Sequence, residues 1–371
     1  MRTAIVHDWF VNYMGSEKCV ESFVNIWKDA DVFSLVDHLT PEQRNLILGG
    51  KKVTTSFIQK LPFSKKHHRN YLPLFPLAIE QFDLSKYKVI ISSSHAVAKG
   101  VITNADQLHI SYCHTPMRYA WASYSQYVSD NNLSSIKGFI LKYILHKLRI
   151  WDYVSSKRVD YFIANSNHIA RRIKKIYGRD ADVIYPPVDV NKFPLETNKD
   201  DYYLTVSRFV PYKKIDLIVK TFSKLKDKKL VVIGNGPELD KIKKLAGNNV
   251  ELKDHQSFES LKKYMQKAKA FVFAAEEDFG ITIVEAQACG TPVIAYKVGG
   301  ASETVINNKT GVLFDSQTEE SLTAAIEKFE SSISTFDAEI IHQHASLFSR
   351  DNFERNMKNY VDEKLEEHFN L

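Results

Sequence analysis

Residues 276 to 303, EEDFGITIVEAQACGTPVIAYKVGGASE, set two carboxylates, Glu277 and Glu285, eight positions apart around Gly280 and just after the apolar run AFVFAA. A glycine that opens a helix after a strand leaves unpaired backbone N–H groups, here near Gly280 to Thr282, and that end of a helix favours phosphate. Upstream, YLTVS leads into Arg208 and then FVPYKK, which carries Lys213 and Lys214. A guanidinium and an ammonium arriving from a neighbouring strand end can grip a diphosphate with charge-assisted hydrogen bonds. The carboxylates then have a different task, because Glu277 and Glu285 can accept hydrogen bonds from sugar hydroxyls on either side of that diphosphate. A nucleotide sugar has this layout, with a ribose at one end and a hexose at the other.

Groups so placed need strands to carry them. Short apolar runs alternate with helix-sized intervals along the whole chain: TAIVHDW, ADVFSLV, YKVIISSS, QLHISYC and VDYFIANS in the first half, DYYLTVSR, KLVVIGNG, KAFVFAA and TPVIAY in the second. Buried runs of this length separated by helical patterns indicate parallel sheets with crossover helices. Between the two sets lies VIYPPVDVNKFPLETNKDD, with three prolines and a polar tract suited to a linker. The 371 residues exceed what one core usually serves, so two Rossmann-like α/β domains are expected. They take residues 1–186 and 187–350, with a last helix over 351–371 packing back on the first domain. In such sheets ligands collect beyond the carboxyl ends of strands. Gly236 and Pro237, after LVVIGN, are read as opening a helix there, and a short helix is expected from about Ile281 to Cys289.

Several classes are excluded or disfavoured. Cys19, Cys113 and Cys289 are far apart and form no C-x-x-C pair, against a disulfide framework or a structural zinc site. The acidic triplets Asp29 to Asp31 and Asp180 to Asp182 precede strands instead of following them, so no metal site is expected. The GNGPEL turn has Leu239 where a dinucleotide fingerprint needs its last glycine, against an NAD-dependent oxidoreductase. The start MRTAIVHDWF lacks the apolar region of a signal peptide, and YLPLFPLAIEQF is short and broken by Pro73 and Pro76. A cytoplasmic protein is expected.

Residues 202 to 315 resemble the nucleotide-sugar half of the retaining GT-B glycosyltransferases of family 4, through SRFVPYKKID, VVIGNGPELDKIKKLA, the E-x7-E segment and the later GG-x-x-E. ANSNHIARRIKKIYGRDADVIYPPVDVNKF is similar to the strand, helix and linker on the hinge side of that family. GSEKCVESF and ISYCHTPMRYAW are similar to a subgroup with bacterial O-antigen mannosyltransferases. The resemblance implies a GT-B fold of two Rossmann-like domains facing a central cleft. It also implies transfer of a hexose, foremost mannose from GDP-mannose, with retention and without a metal or other cofactor, to a lipid-linked oligosaccharide. The donor diphosphate falls to Arg208 and Lys213, the ribose to Glu285 and the transferred sugar to Glu277, with His114 near the reacting carbon. Gly15, Gly236, Phe279, Gly280 and Ile281 are the remaining donor contacts, and Asp8, Ser16 and Arg118 are candidates on the acceptor side, with Asp8, which follows the first strand, open between that role and a turn residue. An epimerase or phosphorylase of the same fold and a non-catalytic sugar-nucleotide binder are the alternatives.

Charge is unevenly shared: residues 1–186 carry 25 Lys and Arg against 15 Asp and Glu, and residues 187–371 carry 25 against 29. KKHHRN at 65–70 and SSIKGFILKYILHKLRIWDYV at 134–154 set cations beside apolar and aromatic residues, with Lys142, His146 and Arg149 on one helical face. Such a segment can lie on an anionic membrane, which here means a peripheral position on the inner face of the cytoplasmic membrane. Nucleic acid is not expected as a partner, for want of a recognised module.

Overall fold

The computed structural model describes residues 2–121 and 136–369; the first two residues of the 134–154 segment and the last two of the C-terminal helical segment lie outside them. The chain forms two compact units, Met1–Pro187 with Phe353–Leu371, and Val188–Asn352.

In the first unit the strands are β1 (Thr3–His7), β2 (Asp31–Ser34), β3 (Val53–Thr55), β4 (Val89–Ser94), β5 (Leu108–Cys113), β6 (Tyr161–Ala164) and β7 (Asp182–Val183). They form a parallel sheet in the order β3-β2-β1-β4-β5-β6-β7. Successive side chains of a strand point to opposite faces. Ala4 and Val6 of β1 accordingly pack with Ile90, Phe75 and Leu145 on one side, while Ile5 packs with Val20, Phe23 and Ile110 on the other. The second side is closed by Phe353, Met357 and Val361 of the helix Arg350–Phe369.

In the second unit β8 (Tyr203–Val206), β9 (Leu230–Ile233), β10 (Val250–Lys253), β11 (Ala270–Phe273), β12 (Val293–Tyr296) and β13 (Gly311–Phe314) form a parallel sheet in the order β10-β9-β8-β11-β12-β13. Both sheets are thus doubly wound. The strand order reverses between β1 and β4 in the first and between β8 and β11 in the second, and such reversals are where the loops at the carboxyl ends part to leave a crevice.

The acidic triplets have structural uses. Asp31 accepts a hydrogen bond from the Tyr87 hydroxyl at 2.6 Å, Asp180 accepts from Lys174 at 2.7 Å, and Asp182 accepts from the Tyr360 hydroxyl at 2.7 Å.

Candidate active site

In the second unit the reversal brings two loops side by side. β8 runs through Arg208 into a single turn, Pro211–Lys213, and β11 runs through Glu277 to the helix Ile281–Ala288. The Lys213 Nζ and Glu277 Oε1 form a salt bridge with both side chains 18% exposed. The same ammonium lies 5.5 Å from the Tyr212 ring centroid and 5.8 Å from that of Phe273, so ring faces and carboxylate together orient it. Arg208, two residues beyond β8, is exposed. Lys214 has a left-handed backbone, φ 54°, a conformation more favourable to glycine.

The acid-bearing loop is clamped from behind. Gly300 N–H donates to the Glu277 carbonyl at 2.8 Å. A Cβ at Gly299 would fall 2.2 Å from that carbonyl oxygen, and one at Gly300 would fall 2.2 Å from the Cα of Phe279. The paired glycines therefore allow two backbones to meet and hold Glu277 in place. Gly236 acts similarly on the other loop: Phe209 N–H donates to the Asn235 carbonyl at 2.9 Å, and a Cβ at Gly236 would fall 2.4 Å from the Phe209 carbonyl oxygen. Gly236 thus supports the Arg208 loop, and the helix it was expected to open begins at Leu239.

Gly280 is the N-cap of the helix Ile281–Ala288, and no side chain caps its first turn. Ile281 is half-buried, and so is Glu285 one turn further on. Phe279 is buried with its ring 5.7 Å from that of Phe348, which leaves its backbone as the part able to meet a solute.

In the first unit, the ends of β1, β4 and β5 bring together His7, Asp8, Ser93, His95 and His114. Asp8, put forward as an acceptor contact, is wholly buried. Its two oxygens accept backbone hydrogen bonds from His95 at 2.6 Å, Ala96 at 3.0 Å, Val97 at 2.6 Å and Ala98 at 2.7 Å. The His95 Nδ1 stands 3.0 Å from the same carboxylate, close but not aligned as a hydrogen bond. Burial opposes ionisation, but the charges of His95 and His7 and the backbone N–H groups outweigh it and hold Asp8 below the usual carboxylate range. This corrects the acceptor-side expectation: Asp8 is an anchor for the turn after β4, with no oxygen left to offer.

His114 is half-buried, and its Nε2 lies 2.8 Å from the Ser93 Oγ. Burial, followed by the charges of His95 and His7, lowers its pKa to about 3, so its ring is neutral at neutral pH. Gly15 begins the helix Gly15–Ile26 after Met14, whose extended backbone (φ −133°) suits any residue. The Ser16 hydroxyl donates to Glu17 at 3.0 Å. Arg118 is half-buried in the turn after β5, where its carbonyl accepts from Trp121 N–H at 3.2 Å.

Three histidines of this unit are held neutral. Burial lowers His109 to about 4, burial and Arg69 lower His68 to about 4, and His114 falls to about 3. Their folded values lie below the unfolded value of roughly 6.5, so acid protonates the unfolded chain first. Their contribution to stability is complete above about pH 6.5 and is lost as the pH falls toward 4. Thermal melts between pH 7.5 and 4.5 should show a falling melting temperature over that window. A flat profile would contradict neutral burial of these rings.

Two family models match the chain in tandem: "Glycosyltransferase Family 4" over residues 29–192 and "Glycosyl transferases group 1" over residues 189–339. The chain belongs to the GT-B glycosyltransferases of family 4. An uncharacterized glycosyltransferase of Methanocaldococcus jannaschii is 28% identical over 243 residues, 62% of this chain and 68% of that protein. The GDP-mannose-dependent alpha-(1-6)-phosphatidylinositol monomannoside mannosyltransferase of Mycolicibacterium smegmatis is 31% identical over 139 residues, 33% of this chain and 36% of that protein. Anabaena HepE in complex with UDP shares the fold, with a TM-score of 0.73 at 17% identity over 98% of this chain and 100% of that one.

In this glycosyltransferase, Arg208, Lys213, Glu277, Glu285, Gly236 and the pair Gly299 and Gly300 fall within the group 1 match, and His114 falls within the family 4 match. His7, Asp8, Gly15, Ser16 and Glu17 precede both matches. Sequence reasoning missed His7, Ser93 and His95 as partners of His114. Their signal was present, since HD ends the run TAIV and SSSH ends YKVII: polar residues at the carboxyl ends of buried strands. Among the described residues no group of three or more His, Cys, Asp or Glu side chains could hold a metal ion.

Proposed function

We propose that the protein transfers mannose from GDP-mannose, with retention of configuration, to a lipid-linked oligosaccharide in the assembly of a surface polysaccharide of the O-antigen type. The observation that carries this reading is the Lys213–Glu277 salt bridge beside the uncapped helix start at Gly280. It sets a cation for the departing diphosphate next to a carboxylate for the hydroxyls of the transferred sugar. Breaking a glycosyl phosphate bond develops positive charge on the ring and negative charge on the leaving group. Arg208 and Lys213 stabilise that leaving group more in the transition state than before it, and this difference is what accelerates the step. Glu285 takes the ribose, and His114 serves the sugar near its reacting carbon. With fixed cations in this role the reaction runs without a divalent metal. Mannose is supported by the GDP-mannose-dependent relative; the UDP bound to HepE favours a second reading, a UDP-hexose donor.

Purified protein supplied with labelled GDP-mannose, UDP-glucose or UDP-galactose, with and without lipid-linked oligosaccharide, tests the proposal. Incorporation of mannose into lipid, dependent on acceptor and undiminished by EDTA, is the expected result. Epimerised, phosphorolysed or unchanged donor with every acceptor would reject it, and incorporation from a UDP-sugar alone would favour the second reading.

The acceptor implies a membrane partner. Among the described residues no helix is long and apolar enough to cross a bilayer. The helix Ile136–Ser155 nevertheless exposes Phe139, Ile140, Tyr143, Ile150, Tyr153 and Val154 alongside exposed Lys142, His146 and Lys147. Arg149, expected on the basic face, is half-buried and donates to the Ala120 carbonyl at 3.0 Å. In KKHHRN, His68 is buried and neutral, while Lys65, Lys66 and Arg69 remain exposed. The apolar and basic exposed residues fit peripheral binding to the anionic inner face of the cytoplasmic membrane. Cosedimentation with phosphatidylglycerol vesicles should fall at least about tenfold in Phe139→Ser/Tyr143→Ser, since each residue removes more than 1 kcal/mol of buried apolar area; unchanged binding would reject this contact.

A further inference from the structure

The first unit carries a continuous polar network behind His114 that no assigned role uses. Ser93 Oγ stands 2.8 Å from His114 Nε2 and 3.1 Å from His7 Nδ1, and His7 Nδ1 also lies 3.2 Å from the Ser93 carbonyl oxygen. On its far side, His7 Nε2 faces Glu17 Oε1 at 3.7 Å. The other Glu17 oxygen accepts from Met14 N–H and from the Ser16 hydroxyl, each at 3.0 Å. His7 and Ser93 are wholly buried, and Glu17 is 3% exposed. Burial disfavours the Glu17 carboxylate, yet the facing His7 ring and its charge hold it below its ordinary range.

Hydrogen positions in this network follow from the two groups beside His7 that can only accept, the Ser93 carbonyl oxygen at Nδ1 and the Glu17 carboxylate at Nε2. Each faces one ring nitrogen, so His7 Nδ1 carries a hydrogen, shared with the Ser93 Oγ, and Nε2 carries one toward Glu17. The Ser93 hydroxyl, accepting there, directs its own hydrogen to His114 Nε2. His114 Nε2 is then the acceptor, and the hydrogen of the neutral ring sits on Nδ1.

We propose that Ser93, His7 and Glu17 are positioning residues that hold His114 as the Nδ1–H tautomer, so that it presents a hydrogen-bond donor to an oxygen of the donor substrate. The proposal rests on the reading that His114 serves that substrate. One carboxylate, Glu17, thereby ties the Met14–Ser16 loop to the orientation of His114, in the way a third group orients the imidazole of a catalytic pair.

Long-range 15N–1H correlation on the histidine-labelled full chain tests the tautomer, with His114 assigned by loss of its signals in His114→Ala. Wild type should show a protonated Nδ1 and a bare Nε2, and Ser93→Ala should raise the Nε2–H population. In turnover assays Ser93→Ala should lower kcat about 10–100-fold with little change in donor KM, and should cost nothing further in a His114→Ala background. Glu17→Gln, which keeps acceptors for the loop, should move kcat in the same direction and covers the case in which Ser93→Ala fails to fold. A wild-type His114 protonated at Nε2, or an equal cost of Ser93→Ala with and without His114, would overturn the positioning network. Full turnover in His114→Ala would instead overturn the donor-site reading, leaving the tautomer measurement to decide the network by itself.

Discussion

Arg208→Ala is expected to lower kcat by about 10²–10³, the usual loss when one preorganised partner of a developing charge is removed, with the melting temperature unchanged. The two halves of this expectation have separate causes. Arg208 is exposed, two residues beyond β8, and its side chain belongs to no core cluster, so alanine leaves the packing intact. Its loop is fixed independently, by Phe209 N–H bonded to the Asn235 carbonyl and Glu238 N–H bonded to the Phe209 carbonyl at 3.1 Å. A guanidinium on a fixed loop needs no reorganisation when negative charge grows on a diphosphate oxygen. Lys is a poor replacement, because a planar fork engages two oxygens and an ammonium one; Arg208→Lys should recover only part of the loss. Steady-state kinetics with saturating donor checks the effect, and full turnover in Arg208→Ala would remove Arg208 from the reaction.

The largest expected effect on stability is at Asp8. Asp8→Asn should destabilise the first unit by about 3–5 kcal/mol, as expected when a buried charged group loses its partners. An amide presents one oxygen and an NH2 group where a carboxylate presents two oxygens. Two of the four N–H groups of residues 95 to 98 would then face a donor inside a region without water access. The sign with pH is fixed: the folded pKa of Asp8 is depressed, so its stabilisation is present above the unfolded value near 3.9 and lost as the pH falls through the folded value. Urea unfolding of the full chain at pH 7 measures the loss. A change under about 1 kcal/mol would mean that the turn after β4 does not depend on this carboxylate.

How much of this was legible beforehand follows a physical division. The nine strands read from sequence are inner strands or paired close to the centre, with apolar side chains on both faces. The four that were not read, β3, β7, β10 and β13, are the outermost strands of the two sheets. Edge strands need fewer apolar residues: VTT, DV and VELK are mostly half-buried, and only GVLF is largely covered. The acid pair and the cations were legible because each directly follows a strand that reads clearly. That Lys213 pairs with Glu277 was not, because it depends on β8 and β11 being neighbours although β9 and β10 lie between them in sequence. The helix expected to open at Gly236 begins at Leu239 for a related reason: a close approach of two backbones, here Gly236 against Phe209, leaves no trace beyond the glycine itself. Asp8 could be read as a turn residue or an acceptor contact because the N–H groups that occupy it come from residues 87 to 90 positions away.

The central claim is that Arg208 and Lys213 hold the diphosphate of the donor. Isothermal titration of GDP, GMP and UDP into wild type and into Arg208→Ala/Lys213→Ala tests it most directly. A nucleoside diphosphate should bind wild type at least tenfold more tightly than the monophosphate, and the double variant should lose that difference. Equal affinity for mono- and diphosphate in wild type, or a preference that survives in the double variant, would contradict the account.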